Sequence, residues 1–313
     1  MINTVTLNPA LDHILYVDRL QRNIANRLRH TALTMGGKGT HVSMNLAVMG
    51  RTSRAYGFGF GGNGRKIVRM LEESGVQPRF VCDMECGENR DNYLLVETDT
   101  QDATLLSDKG VAPAKSHVDQ LYAMMKKEIG VGESVALSGD ASNFTDPFAY
   151  NRIIELLGDR KPRIFLDTSG ETLKRAIEHE LFVIKPNLDE LSQLLDKKIE
   201  TEAEIVSAFS EIDRRCHIQN IVLSLGGDGS LARMGDTLYR VHPPRVSVYN
   251  TVGCGDCLLA GLLYGFEEDE ADAEQILRYA AACSAATAES PISVGFDVRR
   301  SQELLCQVRI KKL

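Results

Sequence analysis

The chain has 313 residues, of which 43% are hydrophobic and 25% charged, the composition of an ordinary globular protein. That length suits one large α/β domain carrying at most a small appendage. A net charge of −7 and a pI near 5.6 argue against nucleic acid or an anionic membrane as partner, so an anionic ligand must be caught by local cations.

The opening MINTVTLNPALDHI lacks the basic start and apolar run of a signal peptide. No apolar stretch approaches the ~20 residues that span a bilayer, so a cytoplasmic protein is expected. The seven cysteines (Cys82, Cys86, Cys216, Cys254, Cys257, Cys283, Cys306) are odd in number and scattered. Cys254 and Cys257 lie in a glycine-rich turn with no histidine or second cysteine pair nearby. Reduced thiols are therefore expected, rather than a zinc ribbon or a thioredoxin-type site.

In chain order, residues 2–7 read as a strand, 40–49 and 64–73 as helices, and 80–81 as a strand. A helix over 115–129 is followed by a strand at 134–138, a helix at 147–157, and strands at 163–166 and 181–184. Helices at 188–195 and 202–214, a strand at 221–225, and helices at 256–266 and 273–288 complete the series. Strand-then-helix repetition predicts a mostly parallel sheet covered on both faces, with ligands beyond the carboxyl ends of its strands. Residues 10–35 and 83–108 lack helical spacing, while 93–97 reads as a strand; together they predict a small β lid over the site. With no low-complexity linker or repeat, residues 1–313 form one domain on this reading.

Two glycine clusters compete for phosphate chemistry. Gly57-Phe58-Gly59-Phe60-Gly61-Gly62 fits GxGxxG, with Asp83 further on, and taken alone would suggest a dinucleotide site and an oxidoreductase. A lone match is weak, and a flexible turn before a packing helix explains it as well. No GxxxxGK[ST] loop is present. In Thr251-Val252-Gly253-Cys254-Gly255-Asp256-Cys257, glycines let successive N–H groups converge while the following apolar helix adds its positive end. A carboxylate in that first turn, Asp256, lies beside such an anion hole and can collect a hydroxyl proton. In isolation it would equally be a helix cap.

Three further segments accompany it: Leu7-Asn8-Pro9-Ala10-Leu11-Asp12 with Gly36-Gly37-Lys38-Gly39, then Lys185-Pro186-Asn187-Leu188-Asp189-Glu190-Leu191, then Ser224-Leu225-Gly226-Gly227-Asp228-Gly229. In this order and spacing the set resembles the ribokinase-like (phosphofructokinase B) family of carbohydrate kinases, over residues 1 to about 290. Within it, the likeness is to the branch of 1-phosphofructokinase, tagatose-6-phosphate kinase and the minor 6-phosphofructokinase.

The resemblance implies a three-layer α/β/α fold with a small β lid, and ATP-dependent phosphorylation of a sugar or sugar phosphate. It makes Asp256 the catalytic base and Gly253, Cys254 and Gly255 the anion hole. Asn187 and Glu190 match the motif that positions magnesium, largely through water. Lys185 is expected near the phosphates; Ser224, Gly226, Gly227 and Gly229 match the nucleotide loop, and Ser284 borders the adenine. Asp12 matches the carboxylate that grips sugar hydroxyls, and Gly36 and Gly37 the turn beneath the sugar. Lys38, Arg27, Arg29 and Arg90 are expected to converge on a substrate phosphate, since guanidinium forks suit its oxygens. A homodimer through the lid is implied as well.

Departures from the pattern fall on the sugar side. His41 stands where the family has a sugar-binding asparagine, Ser138-Gly139-Asp140 replaces the usual SGS, and residues 102–106 lack the proline-glycine signature of the lid. Fructose 1-phosphate, tagatose 6-phosphate and fructose 6-phosphate remain open as acceptors. A non-catalytic sugar-phosphate sensor that keeps the fold is the alternative.

Overall fold

The computed structural model describes residues 1–100, 102–139, 141–144 and 146–313. Its first half contains strands β1 (Ile2–Thr6), β2 (Ala10–Val17) and β3 (His30–Gly36), helix α1 (Lys38–Val48), β4 (Ser53–Phe60), α2 (Gly61–Glu73), β5 (Gln77–Asp83), β6 (Arg90–Glu97), β7 (Ala103–Ser107), α3 (Lys115–Glu128) and β8 (Ser134–Ser138). There follow α4 (Ala149–Leu157), β9 (Arg163–Asp167), α5 (Gly170–Ala176), β10 (Leu181–Ile184), α6 (Leu188–Leu194), α7 (Glu202–Arg215), β11 (Ile218–Ser224), β12 (Ser230–Met234) and β13 (Thr237–His242). Helices α8 (Cys254–Phe266), α9 (Ala273–Ala288) and α10 (Val298–Leu305) and strand β14 (Arg309–Lys312) close the chain.

Ten strands form one sheet in the order β14-β13-β12-β11-β10-β9-β8-β1-β4-β5. The strands from β11 to β5 run parallel, whereas β12, β13 and β14 add antiparallel at one edge. Side chains alternate strictly between faces, as period-2 geometry demands. Val135, Leu137, Ile164, Leu166, Ile184, Ile221 and Leu223 pack with residues of α3 to α7. Their neighbours Ala136, Phe165, Val183 and Val222 pack on the other face, with residues of α1, α8, α9 and α10. Both faces being covered, these strands read as continuous apolar runs, and the fold is the three-layer α/β/α arrangement expected.

A second sheet, ordered β3-β2-β6-β7, is built from the two stretches without helical spacing. Ile14, Tyr16 and Leu94 on one of its faces are buried and pack with Val252, the residue preceding Gly253. The Tyr16 hydroxyl donates to the Pro291 carbonyl at 3.3 Å. The small sheet thus rests directly on the glycine-rich turn ahead of α8.

The competing glycine cluster has a structural explanation. Gly57 and Gly59 lie inside β4, and Gly61 opens α2. The start of α2 is already served by a carboxylate, since Asn63 N donates to Glu88 Oε2 at 2.8 Å. A negative side chain there opposes a phosphate. Several elements lack a sequence signal: β12 to β14 are short and join the edge through tertiary pairing, and α5 has only seven residues. Among the described residues, no helix is long and apolar enough to cross a membrane.

Candidate active site

The parallel strands β1, β8, β9, β10 and β11 end on one side of the sheet, where the expected segments gather. Gly253 is the N-cap of α8 with φ of 84°, and a Cβ there would overlap the Ser293 carbonyl. Only glycine fits this turn. The Cys254 amide reaches the Thr251 carbonyl at 3.4 Å. Those of Gly255 and Asp256 have no partner among the described residues, which leaves them to an anion. Asp256 sits in the first turn and is buried, at 8% exposure.

Asp256 meets a residue the sequence placed against the sugar. His41 Nδ1 lies 2.7 Å from Asp256 Oδ2, and His41 Nε2 lies 2.7 Å from the Met35 carbonyl oxygen. His41 is buried on α1, close behind the Gly36-Gly37 turn. Burial pulls its pKa down, but the hydrogen bond and charge of Asp256, with the charge of Asp12, hold it above the usual histidine value.

A polar ladder crosses the inner face of the small sheet. Ser107 Oγ donates to Asn92 Oδ1 at 2.7 Å, and Asn92 Nδ2 donates to Asp12 Oδ1 at 2.8 Å. Asp12, Asn92 and Ser107 are directly opposed on β2, β6 and β7. Burial raises the Asp12 carboxyl, against the lowering effect of His41, Asn92 and Arg90. A Cβ on residue 36 would overlap Asp12 Oδ1, so Gly36 is what lets this carboxylate lie on the turn.

Between the strand ends lies a charge cluster the sequence reading missed. Asp167, the last residue of β9, is fully buried, with Lys38 Nζ 3.0 Å from Oδ1 and Lys185 Nζ 3.2 Å from Oδ2. Burial opposes its ionisation, but the two ammonium groups outweigh this and keep its pKa below the ordinary carboxylate value. A Cβ on Gly255 would stand 3.4 Å from Lys185 Nζ, which puts that ammonium against the opening of α8. A lone acidic residue ending an apolar strand, at Phe165-Leu166-Asp167, was the available signal.

Lys38 is therefore placed differently from the expectation. Its ammonium joins Asp167 and lies 3.7 Å from Glu190 Oε1, not in the small sheet beside arginines. Arg27 and Arg29 are exposed beyond the β2–β3 ladder, which runs from Ala10↔Gly36 to Tyr16↔His30. At ~3.3 Å per residue they stand roughly 20 Å from the Gly36 end. Arg29 pairs there with Asp18. The expected convergence with Lys38 is not found within one chain. Arg90 donates to the Asn8 carbonyl at 3.1 Å and to Ser107 Oγ at 2.9 Å, close enough to lower the Asp12 pKa. Ser138, at the end of β8, is fully buried with no partner for Oγ among the described residues. Asp140 lies outside the described residues.

On the opposite flank, Asn187 caps α6: Glu190 N donates to Asn187 Oδ1 at 2.8 Å, and Asn187 N donates to Glu190 Oε2 at 2.9 Å. One glutamate oxygen is held, and Oε1 is turned toward Lys38. Ser224 N donates to the Pro186 carbonyl at 3.0 Å, which brings the Ser224–Gly229 loop beside the capped helix. Gly226 and Gly227 have open space above them. Ser284 Oγ donates to the Cys254 carbonyl at 2.9 Å, so it braces the turn from α9.

The Cys254-Gly255-Asp256-Cys257 run has C-x-x-C spacing, but both thiols are free. Burial pushes Cys254 up to about 11 and Cys257 well above its ordinary value, so neither is a ready thiolate. Elsewhere, Asp83, Cys86 and His117 bring ligand atoms within 4.8 Å of one another. Both His117 nitrogens are already engaged, Nδ1 by the Ala114 amide at 3.2 Å and Nε2 by Asp83 at 3.0 Å. This ties β5 to α3.

A buried carboxylate beside open helix amides, two lysines and a glycine loop at the strand ends form a phosphoryl-transfer constellation. Residues 5–294 match the pfkB family of carbohydrate kinases. The chain belongs to that family, and it is an ATP-dependent sugar kinase. It is similar in structure to phosphofructokinase-2 from Escherichia coli in complex with substrates and products, at TM-score 0.91 and 23% identity, covering 97% of this chain and 98% of that one. A putative phosphofructokinase from Staphylococcus aureus matches at TM-score 0.83 and 26% identity, over 100% and 99% of the two chains. A possible 1-phosphofructokinase from Thermotoga maritima matches at TM-score 0.87 and 22% identity, over 100% and 99%.

Proposed function

We propose that this chain transfers the terminal phosphoryl group of ATP to a hydroxyl of a ketose phosphate, with Asp256 as the base. The observation that carries this reading is Asp256 in the first turn of α8, beside two unpartnered amides and the Lys185 ammonium. As the acceptor O–H bond breaks, its proton passes to Asp256 while the oxygen attacks the γ-phosphorus. The bond to the β-phosphate oxygen breaks and ADP leaves. The Gly253–Gly255 segment and Lys185 stabilise charge on the group in flight.

The Ser224–Gly229 loop and the capped helix at Asn187 would hold the nucleotide, and Ser284 fixes the turn from behind. The carboxylate of Glu190 is the hard oxygen donor that magnesium, a cation that keeps its waters, would take. One Glu190 oxygen is committed to the helix cap and Lys38 stands before the other, so Glu190 would act on bound water. The ion would supply charge neutralisation between the phosphates.

Asp12, fixed by Asn92 and Ser107, would orient the sugar hydroxyls above Gly36 and Gly37. Arg90 supplies positive charge on that side, which supports a phosphorylated acceptor. Ser138 lies behind the acceptor. A homodimer through the small sheet belongs to the same reading. Its outer face exposes Leu33, Tyr93 and Leu106 at 47%, 42% and 61%, in one cross-strand row with His13 of β2 between Leu33 and Tyr93. We place the protein in the cytoplasm.

Purified protein assayed for ADP release with ATP, magnesium and fructose 1-phosphate, tagatose 6-phosphate or fructose 6-phosphate tests the proposal. Turnover with one of them is expected. ATP binding without turnover on any ketose phosphate or free sugar would point to a sensor instead.

A further inference from the structure

Among the described residues, the two ring nitrogens of His41 face a carbonyl and a carboxyl group. Its Nε2 faces the Met35 carbonyl and its Nδ1 faces the Asp256 carboxylate, each at 2.7 Å. A carbonyl oxygen can only accept, so Nε2 carries a hydrogen. In a neutral ring, Nδ1 would then present a lone pair to a carboxylate oxygen that also only accepts, a repulsive contact at this distance. The contact requires one further proton. It resides either on the ring, giving an imidazolium, or on Asp256, giving a carboxylic acid.

The surrounding charges choose between these. Asp12 on β2 adds a second negative charge toward the ring, and Asp256 on α8 the first; the element β3 contributes only the Met35 carbonyl. Lys38, earlier on α1, interacts favourably with ionised Asp256. Asp12 is itself moderated by Arg90 and Asn92. Two carboxylates and a carbonyl around a buried ring favour the cation.

We propose that His41 is a positioning residue that, as an imidazolium, holds Oδ2 of Asp256 and thereby leaves Oδ1 as the oxygen that collects the acceptor proton. This rests on Asp256 being the base. The aspartate–imidazolium bond is charge-assisted, buried and anchored at its far side by Met35, so the carboxylate loses rotational freedom about its last torsion. Loss of a His41 proton leaves one ring hydrogen for two acceptors, so either the Asp256 bond or its Met35 anchor becomes a lone-pair repulsion and the carboxylate loses its fixed position. Because Asp256 and Asp12 hold the His41 pKa above its ordinary value, the imidazolium persists above that value. It is lost as pH rises through the raised one.

The test has two arms. In the first, protein labelled with nitrogen-15 at histidine is titrated by NMR without substrate, the His41 signals being those absent from His41→Gln. Both ring nitrogens protonated at neutral pH, with a midpoint above the ordinary ~6.5, are expected, and Asp256→Asn should abolish the upward displacement. A neutral ring at neutral pH, with its hydrogen on either nitrogen alone, overturns the proposal, whatever the enzyme does. In the second arm, kcat is followed against pH with the best acceptor. An alkaline fall at the His41 midpoint, with KM for ATP unchanged, is expected. His41→Gln, which donates an uncharged N–H at every pH, should lower kcat by up to about 10²-fold and lose that alkaline limb.

A wild-type profile without the limb, or a His41→Gln enzyme that keeps it, also overturns the positioning role. Should the ring titrate as expected while no sugar or sugar phosphate is turned over, the kinase assignment of Asp256 fails and the pair itself stands. If His41→Gln does not fold, the wild-type titration, assigned through His41→Asn, and the wild-type kcat profile still decide the question.

Discussion

Lys185 Nζ stands 3.2 Å from Asp167 Oδ2, so that a buried carboxylate at the end of β9 anchors the ammonium that lies against the opening of α8. Lys38 completes the cluster from α1. The two lysines hold the Asp167 pKa down, and a lowered aspartate contributes stability that is present above its unfolded value of ~3.9 and is lost as pH falls through the folded one. Asp167→Asn leaves two cations facing each other without their carboxylate. It should cost about 3–5 kcal/mol, the usual penalty of breaking a buried pair. Urea denaturation near neutral pH measures it, and the variant should lose the acid-side dependence contributed by this residue.

Asp256→Asn keeps the size of the side chain and removes its ability to take a proton. Phosphoryl transfer should fall by roughly 10²–10⁴-fold. ATP affinity measured by calorimetry should stay within a few-fold, since on the proposed reading helix amides and the glycine loop, rather than Asp256, hold the nucleotide. Full activity in this variant would take Asp256 out of the reaction.

Gly253→Ala tests the turn. The φ of 84° and the overlap of a Cβ with the Ser293 carbonyl leave no room for a side chain. The backbone strain alone is worth roughly 1–3 kcal/mol. Differential scanning fluorimetry should show a lowered Tm, and ADP release should fall sharply, because the amides proposed to hold the phosphoryl group move with the turn.

Asp12→Asn replaces one of two acceptor oxygens with an NH2 donor and leaves a single acceptor oxygen, which Asn92 already faces, to take the proposed sugar hydroxyls. KM for the acceptor should rise by about tenfold or more, equivalent to ~1.4 kcal/mol of lost binding, with KM for ATP unchanged. Arg90→Met should raise KM more for a phosphorylated acceptor than for its unphosphorylated sugar. Equal effects on both would detach Arg90 from the phosphate.

Much of this molecule is written locally. Apolar β-branched runs such as Ile221-Val222-Leu223 and amphipathic stretches such as 202–215 declare their elements by period alone, and their alternation dictates a covered parallel sheet. The glycine turn before Asp256 was legible because backbone freedom and a helix start are properties of adjacent residues. Asp167 was not: a carboxylate ending a strand looks like any other until tertiary packing brings Lys38 and Lys185, on separate elements, to its two oxygens. The position of Lys38 relative to Arg27 and Arg29 was equally invisible, because it depends on which end of the β2–β3 ladder each residue occupies.

By itself the sequence determined most helices and the core strands, and which turn can present its amides to an anion, since these follow from torsional freedom and short-range periodicity. Tertiary structure alone decided which side chains touch. His41 and Asp256 are 215 positions apart, and only the packing of α1 against α8 closes that gap to 2.7 Å. Coulomb and hydrogen-bond energies depend on distance through space, so the proton that His41 and Asp256 share is a property of the folded chain.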